Sequence, residues 1–343
     1  MDQCLATLVE PYRRRALRVR GVEIWRSNRN ERLSYDALNR RSDSLARGLA
    51  RIGVVKGVRV AVSLGNNIEY ATATYALFKL GAILVPLNPA FNTAQVVAAL
   101  THLDASHLII STETNLPRKS PRRNEALLRD ILPGIESSKL ESELVPSLKE
   151  VVVVDNSSGR VGISAWKAIR KYQQVLMDGE SETVLPSQTL CPDDVINIQF
   201  TSGTTSMPKA ACLTHASILN NGNSIGDRML LTPQDIVCCP PPLFHCFGCI
   251  LGYMATATHG SSIVFPAEAF DAAATLKAVQ EEKCTALYGV PTMFVAELEL
   301  LQNGTISPEG FQSLRTGIAA GSSIPAELMR KLHRVLNLTE LSG

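Results

Sequence analysis

The hydrophobic pattern alternates between helical and extended segments along most of the chain. Apolar residues recur on one helical face after Ser34 and stop before Gly53, which predicts a capped helix there. Further helices are predicted over 66–80, 93–103, 214–230, 272–282 and 291–301, with one more ending at Thr258. Short apolar runs predict strands over 58–62, 82–85, 107–111, 151–154, 195–200, 236–239, 262–265, 285–288 and 316–320. This alternation is typical of mostly parallel sheets layered with helices, so the predicted fold class is α/β.

The pattern divides into two predicted α/β subdomains, over residues 1–190 and 191–343. Within the first, residues 114–147 are charged and only weakly periodic, which predicts a surface insertion. Its basic cluster could contact phosphate, but such a charge run is more typical of a solvated loop.

Composition narrows the classes of partner. The 343 residues are 45% apolar and 19% charged, with a formal net charge of +2. This is a globular composition whose charge is too small to favour nucleic acid or a membrane surface, so a small-molecule substrate is expected. The sequence leaves the oligomeric state open.

Cysteine usage and the ends of the chain bear on location. Eight cysteines are scattered through a chain that begins without an apolar leader, which predicts a reducing compartment and a cytoplasmic location. No apolar stretch reaches the roughly 18 residues of a membrane span. The last residues do not form the peroxisomal Ser-Lys-Leu signal, so a peroxisomal location is left open only for an intact form.

A hydroxyl-rich loop follows the predicted strand 195–200. It carries five hydroxyl side chains, one glycine and a lysine in the run Thr201-Ser202-Gly203-Thr204-Thr205-Ser206-Met207-Pro208-Lys209. Hydroxyls, backbone N–H groups and an ammonium suit a polyphosphate, and the helix predicted next would add positive partial charge. A polar surface turn is the alternative interpretation. Pro208 before Lys209 excludes a Walker loop.

Two further segments carry candidate residues. Pro240–Pro242 lead into Phe244, His245 and Gly248, where the histidine could bind a ligand or simply pack. Zinc held by Cys246-x-x-Cys249 and a Cys–His nucleophilic pair are weaker alternatives. The small residues of 317–322 lie at the end of a predicted strand, where they could form only a tight strand-to-helix turn.

The run Thr-Ser-Gly-Thr-Thr-x-x-Pro-Lys resembles the signature loop of adenylate-forming enzymes, which include acyl-CoA synthetases. Matching landmarks extend over 33–38, 53–62, 75–82 and 85–89. The resemblance implies the large N-terminal domain of that fold. It assigns binding of the ATP β- and γ-phosphates to Thr201, Ser202, Gly203, Thr204, Thr205 and Lys209. It assigns the acyl and adenine pocket to Phe244, His245, Gly248, Ala320, Gly321 and Ser322. Ser206 and Ala210 stand where the family has glycine.

The resemblance also implies an activity. A carboxylic acid, fatty or polyketide-like, would be activated with ATP and Mg²⁺ to an acyl-adenylate and transferred to coenzyme A, with secondary metabolism as one expected setting. The family's small C-terminal domain with its catalytic lysine, and the Tyr-Gly-x-Thr-Glu segment, find no match here. The chain is therefore expected to be truncated and weakly active alone, and no catalytic residue or metal ligand is assigned. A non-catalytic nucleotide- or acyl-binding remnant is the alternative.

Overall fold

The computed structural model describes residues 21–26, 29–115, 119–182, 184–185, 189–201 and 209–342. The strands are β1 Gly21–Arg26, β2 Arg29–Ser34, β3 Arg59–Ser63, β4 Ile83–Pro86, β5 His107–Ser111, β6 Glu113–Thr114, β7 Arg122–Arg123, β8 Glu150–Val154, β9 Arg170–Lys171, β10 Val195–Thr201, β11 Lys209–Thr214, β12 Ile236–Cys238, β13 Ser262–Phe265, β14 Ala286–Gly289, β15 Thr316–Ala319 and β16 Glu340–Ser342. The α-helices are α1 Tyr35–Arg51, α2 Ile68–Leu80, α3 Thr93–His102, α4 Glu125–Ile131, α5 Tyr172–Glu180, α6 His215–Arg228, α7 Ala255–His259, α8 Ala272–Glu282, α9 Pro291–Gln302 and α10 Ala326–Leu336, with a π-helix over Phe247–Met254. The predicted α/β class is confirmed.

One compact unit is built on residues 38–217. Its sheet has the strand order β11-β10-β4-β3-β5-β8-β9, and every neighbouring pair is parallel except β10 with β11. The apolar side chains of β8 are buried on both faces, as the unbroken valine run 151–154 predicts. Segment 191–217 lies in this unit because β10 pairs with β4 and β11.

Helix α2 in this unit has a signal at each end. At the start, the Asn67 side chain accepts a 2.8 Å hydrogen bond from the N–H of Tyr70. At the other end, Gly81 has φ 62° and its N–H bonds back to the last turn. Asparagine supplies an acceptor for an unpaired helical N–H, and glycine adopts the left-handed conformation without strain.

The Asn67 cap gives a stability prediction. We expect Asn67→Ala to lower the free energy of unfolding by about 1–2 kcal/mol, because a buried helical N–H loses its acceptor. Asn67→Ser keeps an oxygen at this position and should lose less. Urea unfolding of the three proteins measures the difference, and an unchanged midpoint for Asn67→Ala would contradict the assigned cap.

The prediction of a surface insertion over 114–147 is wrong for its apolar residues. Strands β6 and β7 form a short ribbon, and α4 buries Leu127, Leu128 and Ile131 in the core of the unit. Arg122 donates hydrogen bonds to the carbonyl oxygens of Pro89 and Phe91 at 2.7 and 3.0 Å. The segment therefore has a structural role, which its high charge obscures in the sequence.

The described residues up to Ala37 and those from Ile218 onward form the other compact unit. Its sheet has the order β16-β15-β14-β12-β13-β1-β2, with parallel neighbours except β1 with β2. One face packs against α8, α9 and α10 through a cluster that includes Leu276, Leu287, Phe294 and Leu332. Because the strands from β12 to β16 are parallel, their carboxyl ends share one edge of the sheet.

An ion pair lies at the amino ends of these strands, at the opposite edge of the sheet. Arg315 donates to both carboxylate oxygens of Asp235 at 3.0 Å, and Thr285 donates to one of them at 2.7 Å. Burial alone would raise the pKa of Asp235, but these hydrogen bonds outweigh it and hold that pKa below its ordinary value. The carboxylate is thus charged and satisfied inside the fold.

No helix in the described part of the chain has both the length and the apolar character needed to cross a membrane.

Candidate functional site

The hydroxyl-rich loop connects two antiparallel strands. Strand β10 ends at Thr201, β11 begins at Lys209, and these two residues pair across the hairpin. The expectation that a helix directly follows the loop is wrong, because β11 intervenes and α6 begins only at His215. The positive partial charge of a helix N-terminus therefore does not act at Lys209, since that effect is confined to the first turn.

Thr201 and Lys209, two residues predicted to bind phosphate, lie opposite each other at the two ends of this loop. The Thr201 hydroxyl donates to the carbonyl oxygen of Lys209 at 3.4 Å, and both residues are exposed. Ser202, Gly203, Thr204 and Thr205 lie outside the described residues. A lysine side chain and a hydroxyl thus stand together at the carboxyl end of β10, in the unit of residues 38–217.

His215 packs in this same unit. Its ring lies edge-on to Phe78 with the centroids 6.1 Å apart, and burial lowers its pKa. His215 is therefore a packed side chain of this unit.

The proline–histidine segment leads from β12 into the π-helix. His245 is exposed and its N–H donates to the carbonyl oxygen of Pro242 at 3.1 Å, while Cys249 donates back to the His245 carbonyl at 3.0 Å. Phe244 is half-buried beside it. These backbone bonds hold the histidine at the entrance to the π-helix.

The His245 ring has a defined tautomer. Its Nδ1 accepts a 3.1 Å hydrogen bond from the N–H of Phe247, so the neutral ring carries its proton on Nε2. Partial desolvation lowers the pKa of His245. Protonation would also break the bond to Phe247, because Nδ1 would then be a donor. At neutral pH the residue therefore offers an N–H donor at Nε2.

The π-helix Phe247–Met254 is an uncommon element, and such helices often occur at functional sites. Gly248 allows its first turn to pack tightly on the prolines. A Cβ at Gly248 would lie 2.7 Å from the carbonyl oxygen of Pro241 and closer still to that of Pro242. Only glycine fits this approach without moving backbone.

We expect Gly248→Ala to cost about 2–3 kcal/mol of stability and to displace the π-helix, because the added methyl group overlaps rigid proline backbone. Thermal unfolding and near-ultraviolet circular dichroism check this. Gly162→Ala is the matched control, since a Cβ at Gly162 would meet no atom within 4 Å. Equal melting temperatures for the two variants would contradict the packing argument.

Residues 320–322 lie at the same edge of the sheet as the proline–histidine segment. Ala320, Gly321 and Ser322 follow β15, and the N–H of Ala320 donates to the carbonyl oxygen of Gly289 at 3.3 Å. Gly321 has φ 98°, a conformation that strains other residues. Strands β12 and β15 are separated only by β14, so their ends stand about 10 Å apart. The fold thus brings both predicted pocket segments to one edge.

The zinc alternative finds no support in the described residues. Cys246 is half-buried and Cys249 is buried, and no group of three or more His, Cys, Asp or Glu side chains among the described residues could hold a metal ion. All seven described cysteines are free.

Sequence reasoning missed one residue beside this segment. Tyr288 on β14 contacts Phe247 of the π-helix, with ring centroids 6.3 Å apart. The available signal was strand alternation, because Leu287 packs on the α8–α9 face and Tyr288 must then face the opposite side.

Comparison with known proteins identifies the family. A profile of AMP-binding enzymes matches residues 10–343. The chain belongs to the AMP-binding enzyme family. This confirms the resemblance carried by the loop and the upstream landmarks.

Individual relatives agree with the profile. The chain is 41% identical over 318 residues to the acyl-CoA ligase SID4 of Ajellomyces capsulatus and 40% identical over 321 residues to the acyl-CoA ligase sidI of Aspergillus fumigatus. Each alignment covers 91% of this chain and 50% of the relative, so the chain spans about half the length of these relatives.

Solved structures share the fold. The anthranilate CoA ligase AuaEII, in complex with anthranoyl-AMP, superposes with a TM-score of 0.77 at 20% identity, over 97% of this chain and 58% of that one.

Proposed function

We propose that this chain forms part of an acyl-CoA ligase that activates a carboxylic acid with ATP. A carboxylate oxygen of the acid would attack the α-phosphorus of ATP, and pyrophosphate would leave. The sulfur of coenzyme A would then attack the acyl carbon, and AMP would leave. A fatty or polyketide-like acid is the proposed substrate class, and the cytoplasm, consistent with free cysteines, is the proposed location.

The observation that carries this proposal is the β10–β11 hairpin. It places Lys209 opposite Thr201, with a seven-residue loop of mostly hydroxyl and glycine residues between them. In the proposal, Lys209 and these hydroxyls bind the β- and γ-phosphates, where an ammonium and O–H donors meet the highest density of negative charge.

In the proposal, the acyl site lies in the compact unit that contains β12 to β16. The Nε2–H of His245 would donate to an oxygen of the substrate carboxyl group, a role that its tautomer and lowered pKa support. Ala320, Gly321 and Ser322 would contact the adenine and acyl groups through exposed backbone, which small side chains permit.

Among the described residues, no group of three or more His, Cys, Asp or Glu side chains could hold a magnesium ion by itself. Mg²⁺ is usually held by few protein groups and several phosphate oxygens, so the ion would arrive with the nucleotide. When bound, it supplies charge neutralisation on the phosphates. We assign no residue of this chain a role that depends on the ion.

Binding of hexanoyl-sulfamoyladenosine, a stable mimic of an acyl-adenylate, tests the proposal. We expect it to bind the chain at least tenfold more tightly than sulfamoyladenosine in calorimetry, because it contacts the acyl and adenine sites together. Equal or undetectable binding of both compounds to folded protein would contradict the proposal.

Carboxylate-dependent exchange of pyrophosphate into ATP separates the two candidate functions. Exchange together with mimic binding supports a ligase. The exchange assay should also be run on the chain joined to the small C-terminal domain that carries the family's catalytic lysine. If that protein binds the mimic but catalyses no exchange, a non-catalytic binder is favoured.

A further inference from the structure

His245 is an exposed histidine whose ring is held at one nitrogen. Its Nδ1 accepts the 3.1 Å hydrogen bond from the Phe247 N–H, and the sulfur of Cys246 lies 3.6 Å from the same nitrogen. The two neighbours differ in chemistry, because a backbone N–H only donates whereas a thiol can donate or accept. The Phe247 N–H therefore decides that Nδ1 is the acceptor and that Nε2 carries the proton.

The backbone at Phe247 is fixed at two points. Its neighbour Gly248 lies so close to the carbonyl groups of Pro241 and Pro242 that a Cβ would overlap them. The buried Phe247 ring packs on the ring of Tyr288, with the centroids 6.3 Å apart and the planes tilted by 33°. Tyr288 is fully enclosed on β14, between β12 and β15. The place of the N–H is thus set by a tight turn on prolines and by a buried aromatic pair.

Core packing alone is the plainer role for such a pair, and the same π-helix offers a second pair for comparison. Tyr253 packs on Phe265 of β13, with the ring centroids also 6.3 Å apart. This contact lies at the far end of the π-helix from His245. The two pairs are equal in ring separation and differ in their distance along the chain from the histidine, so comparing them separates positioning from packing.

We infer that Tyr288 is a positioning residue for His245: its ring holds Phe247 in place, and the Phe247 N–H sets the histidine tautomer. The consequence for binding rests on the proposed function, in which the Nε2–H of His245 donates to an oxygen of the substrate carboxyl group. The tautomer itself is a property of the folded chain, so it can be measured without any substrate.

The ¹⁵N chemical shifts of the His245 ring nitrogens report the tautomer directly. The chain has six histidines, so ¹⁵N-histidine labelling gives few signals, and those of His245 are the ones that His245→Gln removes. At about pH 8, above the ordinary pKa of histidine, we expect the wild type to hold the proton on Nε2. In Tyr288→Leu the ratio of the Nδ1–H to the Nε2–H tautomer should rise about three- to tenfold, because the hydrogen bond from Phe247 is loosened.

Four further variants separate positioning from packing. Tyr288→Phe keeps the ring, removes only a hydroxyl that has no partner among the described residues, and should keep the wild-type tautomer. Tyr253→Leu makes the matched change in the second pair, so it should lower the melting temperature and leave the tautomer unchanged. Cys246→Ala should also keep the tautomer, because the Phe247 N–H remains. Phe247→Leu removes the ring contact from its other partner and should shift the tautomer, so it provides the test if near-ultraviolet circular dichroism shows that Tyr288→Leu does not fold.

Calorimetry with hexanoyl-sulfamoyladenosine relates the tautomer to the proposed acyl site. We expect Tyr288→Leu to bind the compound about three- to tenfold more weakly than the wild type, and Tyr253→Leu to stay within about twofold of it. A shifted tautomer with unchanged affinity would contradict the role of His245 in the proposed function and would still support the positioning role of Tyr288.

Two results would overturn the inference while leaving the proposed function intact. One is a wild-type tautomer in folded Tyr288→Leu or folded Phe247→Leu. The other is a shift in Tyr253→Leu or Tyr288→Phe as large as that in Tyr288→Leu.

Discussion

Lys209→Ala is expected to weaken ATP binding about ten- to a hundredfold. The lysine supplies the positive charge at the end of the hairpin, and a charge-assisted hydrogen bond to phosphate contributes about 1.5–3 kcal/mol. Hexanoyl-sulfamoyladenosine has no β- or γ-phosphate, so its affinity should change less than about twofold. Calorimetric titration of both ligands measures the two effects.

Matched variants sharpen this prediction. Lys209→Arg keeps the charge but not the shape of the ammonium, so it should recover part of the ATP affinity. Lys277→Ala removes an exposed lysine from α8 and should leave both affinities unchanged. Equal losses for ATP and the sulfamoyl compound in Lys209→Ala would mean that Lys209 does not act on the phosphate tail.

Glu297→Gln is expected to stabilise the protein, increasingly so as the pH rises. Glu297 on α9 is fully buried, and both its carboxyl oxygens lack a partner among the described residues. Burial raises its pKa well above the ordinary 4.5. The buried Cys238 thiol, whose pKa is also raised, lies in the same core and supplies no positive charge.

The direction of the pH effect follows from proton binding. Above about pH 4.5 the unfolded chain releases the Glu297 proton while the folded chain retains it, so the free energy of unfolding falls as the pH rises. The slope from this one group reaches about 1.4 kcal/mol per pH unit until the raised pKa is passed. Glutamine does not titrate, so this contribution should disappear in the variant.

Urea unfolding between about pH 5 and pH 9 checks the slope. Glu299→Gln removes an exposed carboxylate from the same helix and serves as the control, with the wild-type slope expected. Identical pH dependence for the wild type and Glu297→Gln would show that the buried carboxyl group is charged and compensated.

Local signals in the sequence were sufficient for most of the fold. Ser34, Asn67 and Gly81 mark helix ends by backbone chemistry that acts within a few residues, and the valines of β8 report burial on both faces. Strand β11 gave no such signal. Its residues Lys-Ala-Ala-Cys-Leu-Thr lack alternation, and its pairing with β10 decides its conformation.

The same distinction applies to the candidate site. Thr201, Lys209 and His245 could be proposed from the sequence because they lie in short motifs that resemble those of a known family. The place of Tyr288 beside the π-helix could not, because it depends on a contact with Phe247 across 41 positions of sequence. The burial of Glu297 was equally hidden, since a glutamate in a helix is usually exposed.

Hydrogen–deuterium exchange of the hairpin with and without ATP tests the central claim most directly. If residues 201–209 bind the triphosphate, a peptide spanning 196–214 should gain protection with ATP and much less with AMP, which lacks the β- and γ-phosphates. Protection of that peptide to the same extent by both nucleotides, or by neither at saturating ATP, would contradict the account.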